Sequence, residues 1–510
     1  MHSLRLTNFR SFRDTGKNKL KPITILVGTN SSGKSSYLRF FPLLRQTAEM
    51  PSRSPLLWFG GLVDFGDFSK AASRTNKPAS LGYEIELDIP AAWRRTRDVT
   101  IFRATIAVTL RAEQGQTYVS HLEFMCGQDV CVIDFSSANE ITSFASNGID
   151  MMPYYKQKPL GVIVSGFFPT ISLLAADSDL DYDPRYSPMN AAIAARLSPL
   201  AHNRTKPLTI MAYANRLSYC EPAIFLDVLR GLDLRFLPNP KLNDTEVQSM
   251  RALVLARDLG HLLRGAQRAM AAFASGINYL GPFRKDPERF YRQQELSVAQ
   301  IEPHGENLAM FLRSLTVNEL NDLSAFMFAH LGFKVHVDNE GTHVSVTVEE
   351  NHGGRYNLID MGYGLSQVLP VIAQCWSTAR DSGVPSERYR LTTMLAIEQP
   401  ELHLHPSHQA RLADMFAAVL TAVRLKDGKP PRRIPTDPVS RFPLRIMLET
   451  HSEAMVNRFG ELIEGGVLTP DDVAVMLFEK DQQTGLTSIR NAEFLQDGTL
   501  QNWPVGFFAP

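Results

Sequence analysis

Cysteine is scarce in this chain. Cys126, Cys131, Cys220 and Cys375 are the only four in 510 residues, and no two form a CxxC pair. That argues against a disulfide framework or a zinc ribbon, and a reducing, cytoplasmic compartment is expected. Long apolar runs are missing too. No stretch reaches the roughly 18 uninterrupted apolar residues that span a bilayer, so no membrane association is expected. The N-terminus, MHSLRLTNFRSF, lacks the apolar block of a secretory signal. Net charge is absent as well, with Lys+Arg and Asp+Glu both at 53. A neutral chain has no global attraction for nucleic acid, which leaves only local basic faces. Neither an internal repeat nor a sustained heptad pattern occurs, so no long coiled coil is expected.

What is present is an ordinary globular composition, 44% hydrophobic and 21% charged, over a length that suits two to four domains. Leu4 and Leu6 share one face of a half-buried strand. ITILVGTNSSGKSSYLRFFPLL passes from a buried strand through a glycine-bounded loop into a helix. From about Gly82 to Phe135 short alternating segments predict an antiparallel meander. Residues 136 to 245 give little periodic guidance. Val247 to Gly276 reads as a long amphipathic helix with Arg251, Arg257, Arg264 and Arg268 off its apolar face. A hairpin turning at Asn339-Glu340-Gly341 follows, and then helices and strands alternate as in an α/β core. RLKDGKPPRRIPTDPVSRFP reads as a Pro-rich basic loop.

The sharpest motif is GTNSSGKS, comprising Gly28, Thr29, Asn30, Ser31, Ser32, Gly33, Lys34 and Ser35, with Ser36 next. It fits G-x-x-x-x-G-K-[ST] and has the required strand before and helix after. The glycines let successive N–H groups face a polyphosphate at a helix N-terminus, Lys34 supplies a point charge, and the Ser35 hydroxyl suits Mg²⁺. TMLAIEQPELHLHP adds a buried strand that delivers Glu398 to its C-terminal edge, where α/β sheets bind ligands. There Glu398 is expected to hold magnesium through Ser35 or a water. LRIMLETHSE is a second apolar strand with His451 at its tip. His403, His405 and His408 match no usual zinc spacing and read as solvated or hydrogen-bonded. DMGYGLSQV places Gly364, Ser366 and Gln367 at a helix start that Ser366 is expected to cap. Taken alone, that is only a capped helix.

In this order, the four elements resemble the ABC-type ATPase heads of the RecF/SMC/OLD group: GTNSSGKS as Walker A, GLSQV as signature, MLAIEQP as Walker B and ETHSE with the switch histidine. YLGPFRKDPERFY, HGENLAMFL and the terminal DGTLQNWPVGFF look more narrowly like a bacterial AAA-family ATPase subgroup with a small C-terminal domain of unknown function. The likeness is specific over about residues 1–50 and 275–510. It implies an α/β head, a mixed sheet flanked by helices, with an inserted β-rich lobe and helical subdomain. The parts would be residues 1–75 with Walker A, 76–275 inserted, and 276–510 with the remaining motifs.

The resemblance further implies ATP and Mg²⁺ as ligands, Lys34 and Ser35 on phosphate and metal, and Asn30 on the γ-phosphate side. Glu398 would be the Walker B acid, His451 the switch, and Ser366 would act in trans on a second copy's nucleotide. Arg10 and Phe12, in NFRSF, would lie near the ribose or base. Chains of this kind often serve anti-phage systems of the Septu or retron type. The expected partners are therefore a second copy and a separately encoded nuclease, such as an HNH protein, with a reverse transcriptase and its nucleic-acid product as another. The competing expectation is a RecF-like ATPase of DNA repair, which needs a continuous basic surface from Arg94, Arg95, Arg97 and the Arg251–Arg268 row. Such arginines also serve as a plain solvated face. One departure matters: Gln399 stands where a fast hydrolase carries a carboxylate. An amide orients water but accepts no proton. A slow ATPase follows, unless Glu401 reaches in after Pro400. No nuclease motif accompanies the head. Asp471-Asp472, after Pro470, reads as a helix start.

Overall fold

A computed structural model describes residues 1–504 apart from 51, 53, 74–78, 93–98, 157–159, 165, 174–187, 233, 238, 295–296, 351–352, 382–392 and 428–443. Arg94, Arg95, Arg97 and most of the Pro-rich basic loop lie outside the described residues. The chain opens with β1 (Ser3–Phe9), β2 (Phe12–Asp14), β3 (Ile23–Gly28) and helix α1 (Lys34–Glu49). A meander of β4 (Ser80–Ala92), β5 (Val99–Glu113), β6 (Gln116–Cys126), β7 (Asp129–Phe135) and β8 (Ile141–Ser146) follows. Helix α2 (Thr245–Ser275) leads to β9 (Ile277–Leu280). The remainder supplies α3 (Tyr363–Asp381), β10 (Thr393–Glu398), α4 (Pro406–Asp427) and β11 (Leu444–Glu449). After these come α5 (Glu453–Glu464), β12 (Val473–Lys480) and β13 (Thr487–Phe494).

These strands belong to one 16-stranded sheet, in the order β8-β7-β6-β5-β4-β1-β2-β13-β12-β3-β11-β10-β9. From β12 to β9 the five strands run parallel. Parallel strands are buried on both faces, and all six residues of β3 and of β11 are buried, the polar Thr24, Arg445 and Glu449 among them. Side-chain alternation divides β3 between two cores. Leu26 points to the side holding Phe40, Phe41 and Leu259, and Ile23, Ile25 and Val27 to the side holding Val368, Phe416 and Phe459. The molecule is therefore mixed α/β, with α1 and α2 on one face of the parallel sheet and α3, α4 and α5 on the other.

The meander extends this same sheet. Leu4 lies opposite Ile85, and Leu6 opposite Tyr83. Helix α2 lies flat on β4, so closely that a Cβ on Gly265 would stand 2.8 Å from the Pro90 carbonyl. Its other side is covered by Pro188–Leu197 and the chain after it, and here the expected solvated arginine face is corrected. Arg251 is buried against Asp129. Arg257 is buried too, 2.8 Å from Asp258 and 2.9 Å from Asn190. The helix is packed on both sides over this stretch, so Arg251 and Arg257 are paired inside. Of the four, only Arg268 is exposed.

Smaller expectations resolve similarly. The hairpin forms from Phe333–Glu340 and His343–Glu350, and it closes at Gly341-Thr342, one residue later than read. Asp472 completes a short 3₁₀ turn capped by Thr469. No helix among the described residues is long and apolar enough to cross a membrane.

Candidate nucleotide-binding site

The GTNSSGKS loop is built by two glycines that tolerate no side chain. A Cβ on Gly28 would meet the Phe478 carbonyl oxygen at 2.5 Å, because β12 runs alongside. At Gly33 the backbone has φ +93°, and a Cβ would meet the Phe12 ring at 2.9 Å. The tight turn aims the start of α1 into an open cavity. Lys34 folds back on its own loop. Its Nζ donates to the carbonyls of Gly28 at 2.9 Å and Thr29 at 2.8 Å. Burial lowers the Lys34 pKa, opposed by Glu449 and Glu401.

The Ser35 hydroxyl donates to Glu449 Oε1 at 2.9 Å. The expected Ser35–Glu398 contact is not the one formed. Glu398 is gripped by Arg39, with Nε and Nη2 at 2.6 and 2.8 Å, and by the Tyr279 hydroxyl at 2.7 Å. Sheet order explains the exchange: β11 lies between β3 and β10, so the acid ending β11 is one strand nearer the loop. Glu398 and Glu449 are register partners on adjacent strands. Burial, reinforced by the neighbouring Glu398, pushes the Glu449 carboxyl up to about 7 against the pull of Ser35, Lys34 and Arg39. Glu449 Oε2 is buried and has no partner, as is Ser32 Oγ. The sequence did carry a signal for Glu449. LRIMLE ends in an acid just as TMLAIE does, and Arg39 stands one helical turn after Ser35, placed to occupy the other carboxylate.

Beyond Glu398 the chain turns sharply. Gln399 has φ +44°, and its N–H donates to the Glu449 carbonyl at 2.8 Å. Glu401 is buried, and its Oε1 accepts from the His451 N–H at 2.7 Å. Its Oε2 has no partner, and burial raises its pKa. The His451 pKa is lowered, by partial burial and then by Lys34.

A cavity of about 820 Å³ unites these groups. Residues 30–36 form its floor, with Gln399, Glu449 and His451 on one wall. Arg10, Lys70, Ser73, Lys480, Thr484 and Leu486 form the opposite wall, and of these the sequence pointed only to Arg10. Lys70 and Lys480 are separated from the loop by long stretches of chain and carry no motif. Phe12 is a correction. It is fully buried, edge-on to Tyr37 and Phe478 with centroids 6.4 and 6.0 Å away, and it props Gly33 from beneath. Glu398 and Glu401 do not line the cavity either.

The residues of GLSQV sit elsewhere. Helix α3 begins at Tyr363, so Ser366 is not the cap expected. It lies in the first turn, buried, and its hydroxyl donates back to the Tyr363 carbonyl at 2.8 Å. Gly364 is required by a close approach, since a Cβ there would stand 2.5 Å from the His403 carbonyl oxygen. Gln367 is buried and donates to the Arg284 carbonyl at 3.2 Å. None of these three borders the cavity of the same chain. His403, His405 and His408 form no metal cluster among the described residues.

The chain is similar in structure to the SmcHead bound to the C-winged helix domain of ScpA, at 11% identity and TM-score 0.36, with 96% of this chain and 97% of that chain covered. It is also similar to the SMC head domain from Thermotoga maritima, at 8% identity and TM-score 0.32 over 96% and 97% of the two chains. No curated protein matches the chain. Residues 301–456 match the family model described as AAA ATPase domain, a segment that holds Gly364, Ser366, Glu398, Glu401, Glu449 and His451 and begins well after the Gly28–Ser35 loop.

Proposed function

We propose that this chain binds ATP with Mg²⁺ in the cavity over the GTNSSGKS loop, hydrolyses it slowly, and closes on a second copy while the nucleotide is bound. The observation that carries the reading is Lys34 and the Ser35–Glu449 pair converging on one cavity at a helix N-terminus. The Lys34 ammonium is held by two loop carbonyls. A triphosphate would take their place, and the loop N–H groups would take up its oxygens. Ser35 Oγ and the unpartnered Oε2 of Glu449 are hard oxygen donors of the kind magnesium takes, and they fit it better than Glu398, whose oxygens Arg39 and Tyr279 occupy. A magnesium ion there would offset charge on the phosphate oxygens. Gln399 and His451 line the cavity and can orient an attacking water, but the Gln399 amide accepts no proton, which supports slow turnover. The separation of Ser366 from its own chain's cavity supports a trans arrangement, in which each copy's α3 start covers the other's nucleotide.

At the cellular level the reading extends to an ATP-gated subunit that controls a separately encoded nuclease in anti-phage defence. Its support is the motif resemblance. The alternative, a RecF-like DNA-binding ATPase, loses two members of its basic row because Arg251 and Arg257 are engaged inside the protein. Titration of fluorescent ATP with magnesium, alongside light scattering, tests the core proposal. The parent binds and shifts from monomer to dimer mass, and Lys34→Ala does neither. A parent that fails to bind overturns it. Steeply salt-dependent binding of the isolated chain to duplex DNA would favour the repair reading.

A further inference from the structure

The motif YLGPFRKDPERFY contributes a residue that the cavity does not account for. Arg284 lies just beyond β9 and is 5% exposed. Its Nη2 donates to the Glu398 carbonyl at 3.0 Å, at the end of β10. Its own carbonyl accepts from Gln367 at the start of α3. One arginine thus bridges the signature turn and the acidic strand. Its other two guanidinium nitrogens, Nε and Nη1, are buried without a partner. Stranding a buried cation in this way is costly, so a partner supplied in another state is called for.

The charged groups facing Arg284 are Glu401 and Glu398, with the Tyr279 hydroxyl beyond them. Glu398 already belongs to Arg39 and Tyr279. Glu401 does not belong to anything so firmly: Oε1 holds the His451 N–H, while Oε2 is buried and unpartnered. Two buried groups of opposite charge stand within electrostatic reach, each with unused hydrogen-bonding capacity and no ion pair between them. A displacement that brought them within hydrogen-bond reach would satisfy both. The start of α3 is coupled to that displacement at two points. Gln367 holds the Arg284 carbonyl, and the Gly364 backbone presses on the His403 carbonyl, in the same segment as Glu401.

We propose that Arg284 is a positioning residue that carries contact at the start of α3 to Glu401, taking Oε2 as its partner when a second copy bears on Ser366 and so fixing the carboxylate beside His451. This rests on the reading that two copies close over ATP. Arg284 does not border the cavity, so it acts through Glu401 and not on nucleotide.

Steady-state hydrolysis, with ATP·Mg binding measured separately, tests it. Arg284→Met is expected to lower kcat roughly ten- to hundredfold while ATP affinity stays within about twofold, and Glu401→Gln to do the same. The double variant is expected to fall no further than Glu401→Gln alone, because the two groups act as a unit. Gln367→Met, which leaves the guanidinium intact, is expected to lower kcat at unchanged KM and guards against a misfolded Arg284→Met. A parent that binds no ATP overturns the clamp reading and this proposal together. A parent that turns over, with Arg284→Met and Gln367→Met both at full kcat or with multiplying losses in the double variant, overturns the role of Arg284 alone.

Discussion

Replacing Glu449 by glutamine makes the most direct test of the pocket, because it separates what the carboxylate does for the fold from what it does for ligand. Burial, with Glu398 alongside, raises this group from 4.5 to about 7, while Ser35, Lys34 and Arg39 resist. Between those two values the folded chain binds a proton that the unfolded chain has lost, so stability falls as pH rises through the window. At about 1.4 kcal/mol per pH unit the full fall is ~3 kcal/mol, complete above pH 7 and absent below 4.5. An amide of the same shape can still accept from Ser35 and has no proton to lose. Glu449→Gln is therefore expected to match the parent at pH 5 and to exceed it at pH 8 by about 1–3 kcal/mol, or several degrees in unfolding midpoint. Groups elsewhere titrate in both proteins, and the difference between the two pH responses cancels them. Thermal scans at both pH values, without nucleotide, supply the stability half. The same scans with ATP and magnesium supply the other: ligand raises the parent's midpoint and leaves the variant's near its own baseline. Identical pH responses in parent and variant, together with an intact ligand shift, would refute both the burial argument and the placing of magnesium at Glu449.

Gln399→Glu is expected to raise turnover on the order of 10²-fold, read by phosphate release. If rate is unchanged while Glu401→Gln is inactive, the base is Glu401. Arg39→Ala leaves the buried Glu398 carboxylate with only Tyr279, and because Arg39 itself is partly exposed, calorimetry should show a loss of roughly 1–3 kcal/mol. Gly364→Ala forces a methyl to within 2.5 Å of the His403 carbonyl. It should weaken ATP-dependent dimerisation in light scattering more than ATP binding itself. Arg257→Met should lower thermal stability by about 3 kcal/mol and leave any DNA affinity untouched, the reverse of what a basic DNA-binding face requires.

Much of the molecule is legible in one dimension where a local rule applies. The ITILVG stretch, apolar but for Thr24, the glycines on either side of TNSS and the apolar residues after Lys34 point in turn to a strand, a tight loop and a helix without reference to anything distant. The same holds for the alternation that yields β4 to β7 and for the largely apolar run of LRIMLE. Where no local rule applies, distant contacts decide. The resemblance put Phe12 near a base, yet its ring is buried and fills the space under Gly33. Arg251 and Arg257 looked solvated because they leave the apolar stripe of α2, but a second layer of chain covers that side as well.

The sequence by itself determined the glycine-bounded loop between β3 and α1, the buried strand that ends at Glu398, and the amide that follows it at Gln399, because each depends on neighbours within a few residues. Tertiary structure alone decided which acid serves which partner. Sheet order inserts β11 between β3 and β10, gives Glu449 to Ser35 and leaves Glu398 to Arg39. It also decided that Lys70 and Lys480 face the loop across the cavity and that Ser366 does not reach it. Such pairings join residues that stand far apart along the chain, and no local pattern encodes a distance that only the stacking of strands sets.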